Sequence, residues 1–219
     1  MTLFSYCLRH DNGAAPNPFW GICTLAICKP VIRRTAQMGD WVVGLGSKDS
    51  PMGSTSVVYA MKVTGLLPME GYDTYCGKSL PGKIPDWGSK DFSTKAGDCI
   101  YDYGHSASAR LRRSVHSEGN RERDLSGRNV LLSRHFYYFG DQPVDLPKNL
   151  RAIVHSTQGQ KSRANDRYTA SFVTWIEGAG YLRNVPIGKP QLKGRMTALS
   201  EAECRRMCSK QHQEEDEQD

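Results

Sequence analysis

At 219 residues, 38% hydrophobic and 24% charged, the chain is long enough to bury the core of one domain, with or without an elaborate insertion. Its apolar runs are short and broken by Gly, Lys or Thr, which excludes a bilayer-spanning segment. The net charge of +6 understates a basic character: Gln211–Asp219 holds five carboxylates and no Lys or Arg, leaving 29 basic against 18 acidic side chains, a net +11, in residues 1–210.

In chain order, Leu3 to Arg9 reads as an opening strand. Asp11 to Pro18 reads as a loop, since Asp-Asn-Gly signals a turn and two prolines bar regular pairing. Cys23 to Cys28 is a short apolar segment stopped by Pro30. Trp41 to Leu45, entered through Gly39-Asp40, and Val57 to Thr64 have strand composition and form a hairpin across a Gly/Ser/Pro loop. Pro68 to Tyr75 starts a short helix, residues 76–96 read as a surface excursion, and order restarts at Gly97-Asp98. Ser106 to Ser126, rich in Arg and Ser, reads as a mobile loop that orders on a partner. Asn129 to Ser133 and His135 to Gly140 are sheet-like, and Phe172 to Ile176 fits strand or helix. Leu199 to Lys210 reads as a helix with Ser200 and Glu203 as a capping box, leading into a disordered acidic tail.

The seven cysteines form no paired framework and read as thiols of a reducing compartment. The N-terminus, Met1–Cys7, has neither the basic nor the apolar region of a secretory signal, so a cytoplasmic protein with no membrane partner is expected. Cys204 and Cys208 lack the Cys-x-x-Cys pairing and the histidines of a structural zinc site, and no metal is expected. Seven arginines stand between His105 and His135 against three carboxylates, and five basic residues between Lys148 and Arg167 against Asp166. Such clusters release counterions from phosphate backbones, or simply solvate a surface.

A Gly39-Asp40 strand entry followed by a returning strand resembles the hairpin of PUA-like barrels, the group that includes EVE and ASCH modules. A closer resemblance rests on Asn17-Pro18-Phe19-Trp20-Gly21, Cys23 to Pro30, Ile32-Arg33-Arg34, Gly39-Asp40-Trp41-Val42 and Val58 to Thr64. Gly97-Asp98-Cys99-Ile100-Tyr101 and Val130 to Gly140 follow in the same order. Together these blocks resemble the nucleotide-modification-associated domain family, second type, over residues 1 to about 185. Cys99 stands where that family has Asn. The resemblance implies a place in systems that make, sense or process hypermodified DNA bases in phages and bacteria.

The implied fold is α+β, a PUA-like twisted β-barrel with short peripheral helices. The domain spans residues 1–190, with a basic insertion about 76–128, and residues 191–219 form a C-terminal helix and acidic tail. A base pocket is expected from Asn17, Phe19, Trp20, Asp40, Trp41 and Ser47: flat faces stack a base, and Asn17 with Asp40 matches a Watson–Crick edge. Core packing is the alternative for Trp41, and turn capping for Asn17. Phosphate contacts are expected from Lys29, Arg33, Arg34, Arg110, Arg112, Arg113 and Arg163. For catalysis, Asp11, Asp40, Asp98 and His105 are candidate acid–base groups, and Cys23 or Cys28 a nucleophile beside a cation. His116 and His135, in or beside the Arg-rich stretch, read as phosphate contacts or solvated side chains. No triad, zinc-deaminase motif, phosphate loop or dinucleotide fingerprint is visible. DNA recognition, direct chemistry on a base or nucleotide, and docking of the Arg-rich loop on an acidic protein are the three functional expectations. The sequence leaves the cofactor open.

Overall fold

The computed structural model describes residues 1–48, 53–105, 108–155 and 159–191. Strands β1 (Leu3–Cys7), β2 (Cys23–Leu25), β3 (Trp41–Leu45), β4 (Ser56–Lys62), β5 (Gly65–Pro68), β6 (Tyr101–Asp102), β7 (Arg110–Leu111), β8 (Asn129–Ser133), β9 (Phe136–Tyr138), β10 (Val144–Asp145) and β11 (Gln160–Lys161) alternate with helices α1 (Pro30–Thr35), α2 (Met69–Ser79), α3 (Phe92–Lys95), α4 (Arg121–Ser126) and α5 (Thr169–Gly178). Short 3-10 turns at 81–83, 118–120, 148–153 and 163–168 join them.

The main sheet runs β10-β4-β3-β1-β11, with β9 also paired to β4. Its strands read as continuous hydrophobic runs because both faces are covered. Phe4, Tyr6, Val42, Tyr59, Met61, Phe136 and Tyr138 face one core. Their sequence neighbours Leu3, Trp41, Val43, Ala60 and Tyr137 face a second core against Phe172 and Ile176 of α5, as the two-residue side-chain period of a strand requires. The first core is closed by a smaller sheet, β2-β8-β5, and by Tyr72 and Cys76 of α2. β1 and β3 are parallel, and the crossover between them carries β2 and α1.

The expected barrel is not formed among the described residues. The main sheet stays open because its edge strands, β10 and β11, are only two residues long and do not meet. The Arg-rich stretch is also more ordered than its composition suggests: its described part, 108–126, forms β7, a 3-10 turn and α4, pinned by the buried Val115, His116 and Asp124. Phe172 to Ile176 lies in a helix. The expected helix 199–210, with Cys204 and Cys208, and the acidic tail lie outside the described residues.

Tyr6, Gly44, Tyr59 and Tyr138 are register partners on β1, β3, β4 and β9. The Tyr6 and Tyr59 hydroxyls meet at 2.8 Å. Gly44 makes the room: a Cβ there would collide with the edge of the Tyr59 ring. Replacing Gly44 by Ala therefore overpacks a fixed site and is expected to cost about 1–3 kcal/mol. Urea unfolding checks this through a lower midpoint at unchanged slope.

Candidate active site

The residues between β2 and α1 turn sharply. Cys28 and Lys29 both sit in the left-handed region, at φ 59° and 41°, and Pro30 opens α1 at a position where its missing N–H and fixed φ are favourable. A non-glycine residue in that region costs about 1–3 kcal/mol and persists only where its surroundings over-determine it. The turn brings the half-buried Cys28 thiol against a histidine from the Arg-rich stretch.

Cys28 Sγ lies 3.6 Å from His116 Nε2, and His116 Nδ1 lies 2.5 Å from Asp124 Oδ2. His116 and Asp124 are both 0% exposed. Tyr101 donates its hydroxyl to the same Asp124 oxygen at 3.0 Å, and the Cys28 amide donates to Asp124 Oδ1 at 3.1 Å. One carboxylate thus orients the imidazole and anchors the backbone of the cysteine. Burial pushes the Asp124 pKa up, but His116, Arg33 and the Cys28 amide outweigh it and hold the carboxyl below its usual range. With Nδ1–H committed to Asp124, Nε2 is the nitrogen left to exchange a proton with Sγ. This is the connectivity of a nucleophile–base–orienter triad.

Arg33 holds the parts together. It is 0% exposed, donating through Nε to Cys28 O at 2.8 Å, through Nη1 to Asn129 O at 3.1 Å and through Nη2 to Asp124 O. Gly127 accepts it, since a Cβ at 127 would fall on the guanidinium. Burial pulls the Arg33 pKa down and Asp124 opposes it. The expectation that Arg33 contacts phosphate is corrected: its donors are spent on the interior.

The other expected site residues scatter. Asn17 is buried in the 17–24 loop, and Asp40 caps a turn, accepting from Thr2 N at 2.7 Å and Gln37 N at 2.9 Å. Trp41 lies in the core on the other face of the main sheet, beside Tyr137 and Phe172. Ser47 is buried, Phe19 packs edge-on against Phe92, and Trp20 is 45% exposed. With Asn17, Asp40 and Trp41 at 0%, 5% and 0% exposure, these three present no open face to a base. Lys29 Nζ lies 4.8 Å above the Tyr6 ring. Arg112 is occupied by Asp73 at 2.8 Å and by the carbonyls of Cys99 and Tyr101. Arg34, Arg110, Arg113 and Arg163 reach the surface; Arg34 also donates to Ser126 O at 3.0 Å.

Among the candidate acid–base groups, His105 is exposed, 4.0 Å from Asp102. Asp98 is buried and bonded to Thr24 and Tyr72. Asp11 accepts from the Tyr138 hydroxyl at 2.6 Å, and burial raises its pKa from 3.8 to about 6. The Cys23 thiol is buried and pushed up to about 12, chiefly by that burial, so of the two candidate thiols Cys28 is the better placed to ionise. Sequence reading missed the role of His116 and never singled out Asp124. The only local signal is the apolar Val115 beside His116 in an otherwise polar run.

Removing the Arg33 charge by Arg33→Met strands three carbonyls and the buried Asp124. We expect about 3–5 kcal/mol of destabilisation, read by chemical unfolding. Asp11 gives a pH test. Its folded pKa is raised, so the folded state holds the proton more tightly, and stability falls as pH rises from about 3.8 to about 6, by on the order of 2–3 kcal/mol. Asp11→Asn is expected to remove that slope from the pH dependence of the unfolding free energy.

Comparison of the chain with curated proteins and with solved structures finds no match. A family model matches residues 1–196, and over that span the chain belongs to the nucleotide modification associated domain 2 family, which links it to nucleotide modification.

Proposed function

We propose that the chain is a thiol-dependent enzyme that transfers or hydrolyses an acyl group on a nucleotide or modified base. The observation that carries this reading is the Cys28–His116–Asp124 triad, set in a family tied to nucleotide modification. This reading takes up the chemical alternative that the sequence left open, with Cys28 as its nucleophile.

His116 Nε2 takes the Cys28 proton, while the Asp124 bond to Nδ1 stabilises the imidazolium that results. The thiolate adds to a carbonyl carbon of the substrate, and the C=O electron pair moves onto oxygen. Collapse of that adduct breaks the bond to the leaving amine or alcohol, which takes its proton from His116. Water or an amine acceptor then attacks the Cys28 thioester, with His116 again as base, and the thiol is restored. The Cys28 amide is bonded to Asp124 Oδ1, so the developing oxyanion needs a donor other than that amide.

A nucleic-acid setting for the substrate is favoured by one observation. Arg34 and Arg113, on the segments that carry Arg33 and His116, are exposed, as are Arg110 and Arg163. Exposed guanidiniums on the segments that form a thiol site suit a DNA-borne modified base, with phosphates held at the rim. Binding to plain DNA is then expected to fall steeply with salt.

The test is thiol chemistry followed residue by residue. Iodoacetamide labelling, mapped by mass spectrometry, is expected to modify Cys28 at pH 6 at least about tenfold faster than a free thiol with a pKa near 8.5. His116→Ala, with its melting temperature checked, should abolish that advantage. Incubation with nucleotides carrying amide- or ester-linked groups should leave an acyl mass on Cys28, and none on Cys28→Ser. A Cys28 labelling profile that matches the free thiol and ignores His116→Ala would sink the proposal.

A further inference from the structure

The loop from Asn17 to Thr24 is held more firmly than a chain reversal requires. Asn17 and Thr24 exchange backbone hydrogen bonds of 2.9 Å each, and Asn17 Oδ1 accepts the Phe19 amide at 3.3 Å. Lys83, 0% exposed, enters the loop from the 81–83 turn. Its Nζ faces Asn17 O at 2.9 Å, Asn17 Oδ1 at 2.7 Å, Ile22 O at 2.8 Å and Thr24 Oγ1 at 2.9 Å. Thr24 Oγ1 in turn donates to the buried Asp98 at 2.5 Å, which also accepts from the Tyr72 hydroxyl at 2.7 Å. Taking an ammonium out of water costs several kcal/mol. Here that cost is offset by acceptors that belong to the loop itself.

What the loop carries at its tip is an aromatic ring facing water. Trp20 has φ 65° and Gly21 φ 72°. A bulky residue in that conformation is strained by about 1–3 kcal/mol. The strain does not bury the indole, which stays 45% exposed, while Phe19 beside it turns inward onto Phe92. Beneath Trp20 lies Gly82, where a Cβ would collide with the indole ring. The indole therefore rests on bare backbone one residue before Lys83. Among the described residues, the other large exposed apolar side chains, Met1, Met38, Leu182 and Val185, belong neither to the loop nor to its supporting turn. Both helices packed against the 81–83 turn, α2 and α3, carry a lysine in their last turn, Lys78 and Lys95.

We infer that Trp20 is a stacking platform for a nucleobase, one indole face seated on Gly82 and the other offered to a flat π ring. The loop is the device that fixes its orientation in advance, so that little ordering entropy is lost on binding. A base stacked on an aromatic side chain gains about 1–3 kcal/mol whatever its identity. Lys78 and Lys95 supply the positive field for the attached phosphate. The inference stands on the loop and does not need the Cys28 chemistry.

The experiment uses the full chain and its own tryptophans. Trp41 is buried, and Trp87 and Trp175 are half-buried, so Trp20 is the solvent-facing fluorophore. Titration with dAMP or dTMP should quench emission saturably, and deoxyribose 5-phosphate, which has no base, should not. Trp20→Ala should abolish the quench and weaken binding about tenfold or more, with an unchanged melting temperature. Trp20→Phe should retain most of the affinity, and Gly82→Ala, which tilts the indole, should lose part of it. The readout is base-dependent binding rather than thiol labelling, which separates this result from failure of the thiol reading. Unaltered nucleotide affinity in Trp20→Ala, equal binding of the base-free phosphate, or no saturable quench at all overturns the inference.

Discussion

Everything at the thiol site depends on one buried cation. Arg33 leaves α1 and ends among three carbonyls from three separate segments: Cys28 from the turn after β2, Asp124 from α4 and Asn129 at the start of β8. A guanidinium suits the task because its planar fork donates in several fixed directions and cannot be deprotonated in a protein. A lysine would offer a point charge on a flexible stem. The desolvation cost is met by Asp124, whose charge opposes the pull of burial on the guanidinium. The same contact places the triad acid, so charge compensation and site assembly are a single event.

That arrangement also explains how a cysteine can occupy the left-handed region. Its carbonyl is held by Arg33 and its amide by Asp124, so both sides of the residue are fixed before any ligand arrives. The far end of β2 obeys the same logic with a different cation. Lys83 fixes the 17–24 loop, where Trp20 is likewise held at positive φ. A three-residue strand thus has a strained, exposed or half-exposed side chain at each end, each backed by a buried positive charge. Strain that survives twice beside dedicated support is the mark of positions kept for their orientation rather than for packing.

The sheet was legible where local chemistry and burial agree. Trp41 to Leu45 and Val57 to Thr64 carry β-branched and aromatic residues in strands buried on both faces, and they form neighbouring strands. Core packing, the alternative reading of Trp41, is where that ring lies. Barrel closure was not legible, because it depends on what the edges meet, and two-residue edge strands leave almost no pattern. The thiol site was hidden for a related reason. Ile32-Arg33-Arg34 gives no local sign that one arginine is buried and its neighbour exposed; the distinction is made by Gly127, far along the chain. His116 sits in a run whose arginines advertise solvent. Its burial comes from Asp124 and Cys28, 8 and 88 residues away, contacts that no periodicity encodes.

Two buried carboxylates show how surroundings decide the charge of a buried acid. Asp98 and Asp124 are nearly equally buried, and burial alone would raise both pKa values. Asp98 is bonded to the neutral hydroxyls of Thr24 and Tyr72, with Lys83 held one hydroxyl away, and its pKa stays raised. Asp124 has His116 in direct contact, the Arg33 charge beside it and the Cys28 amide on its second oxygen, and its pKa is lowered. A carboxylate that stays ionised can hold an imidazolium through a catalytic cycle. One that burial pushes toward its neutral form is better suited to bracing a loop. The direction of the two shifts, set by the company each group keeps, separates the acid that orients a base from the acid that supports a fold.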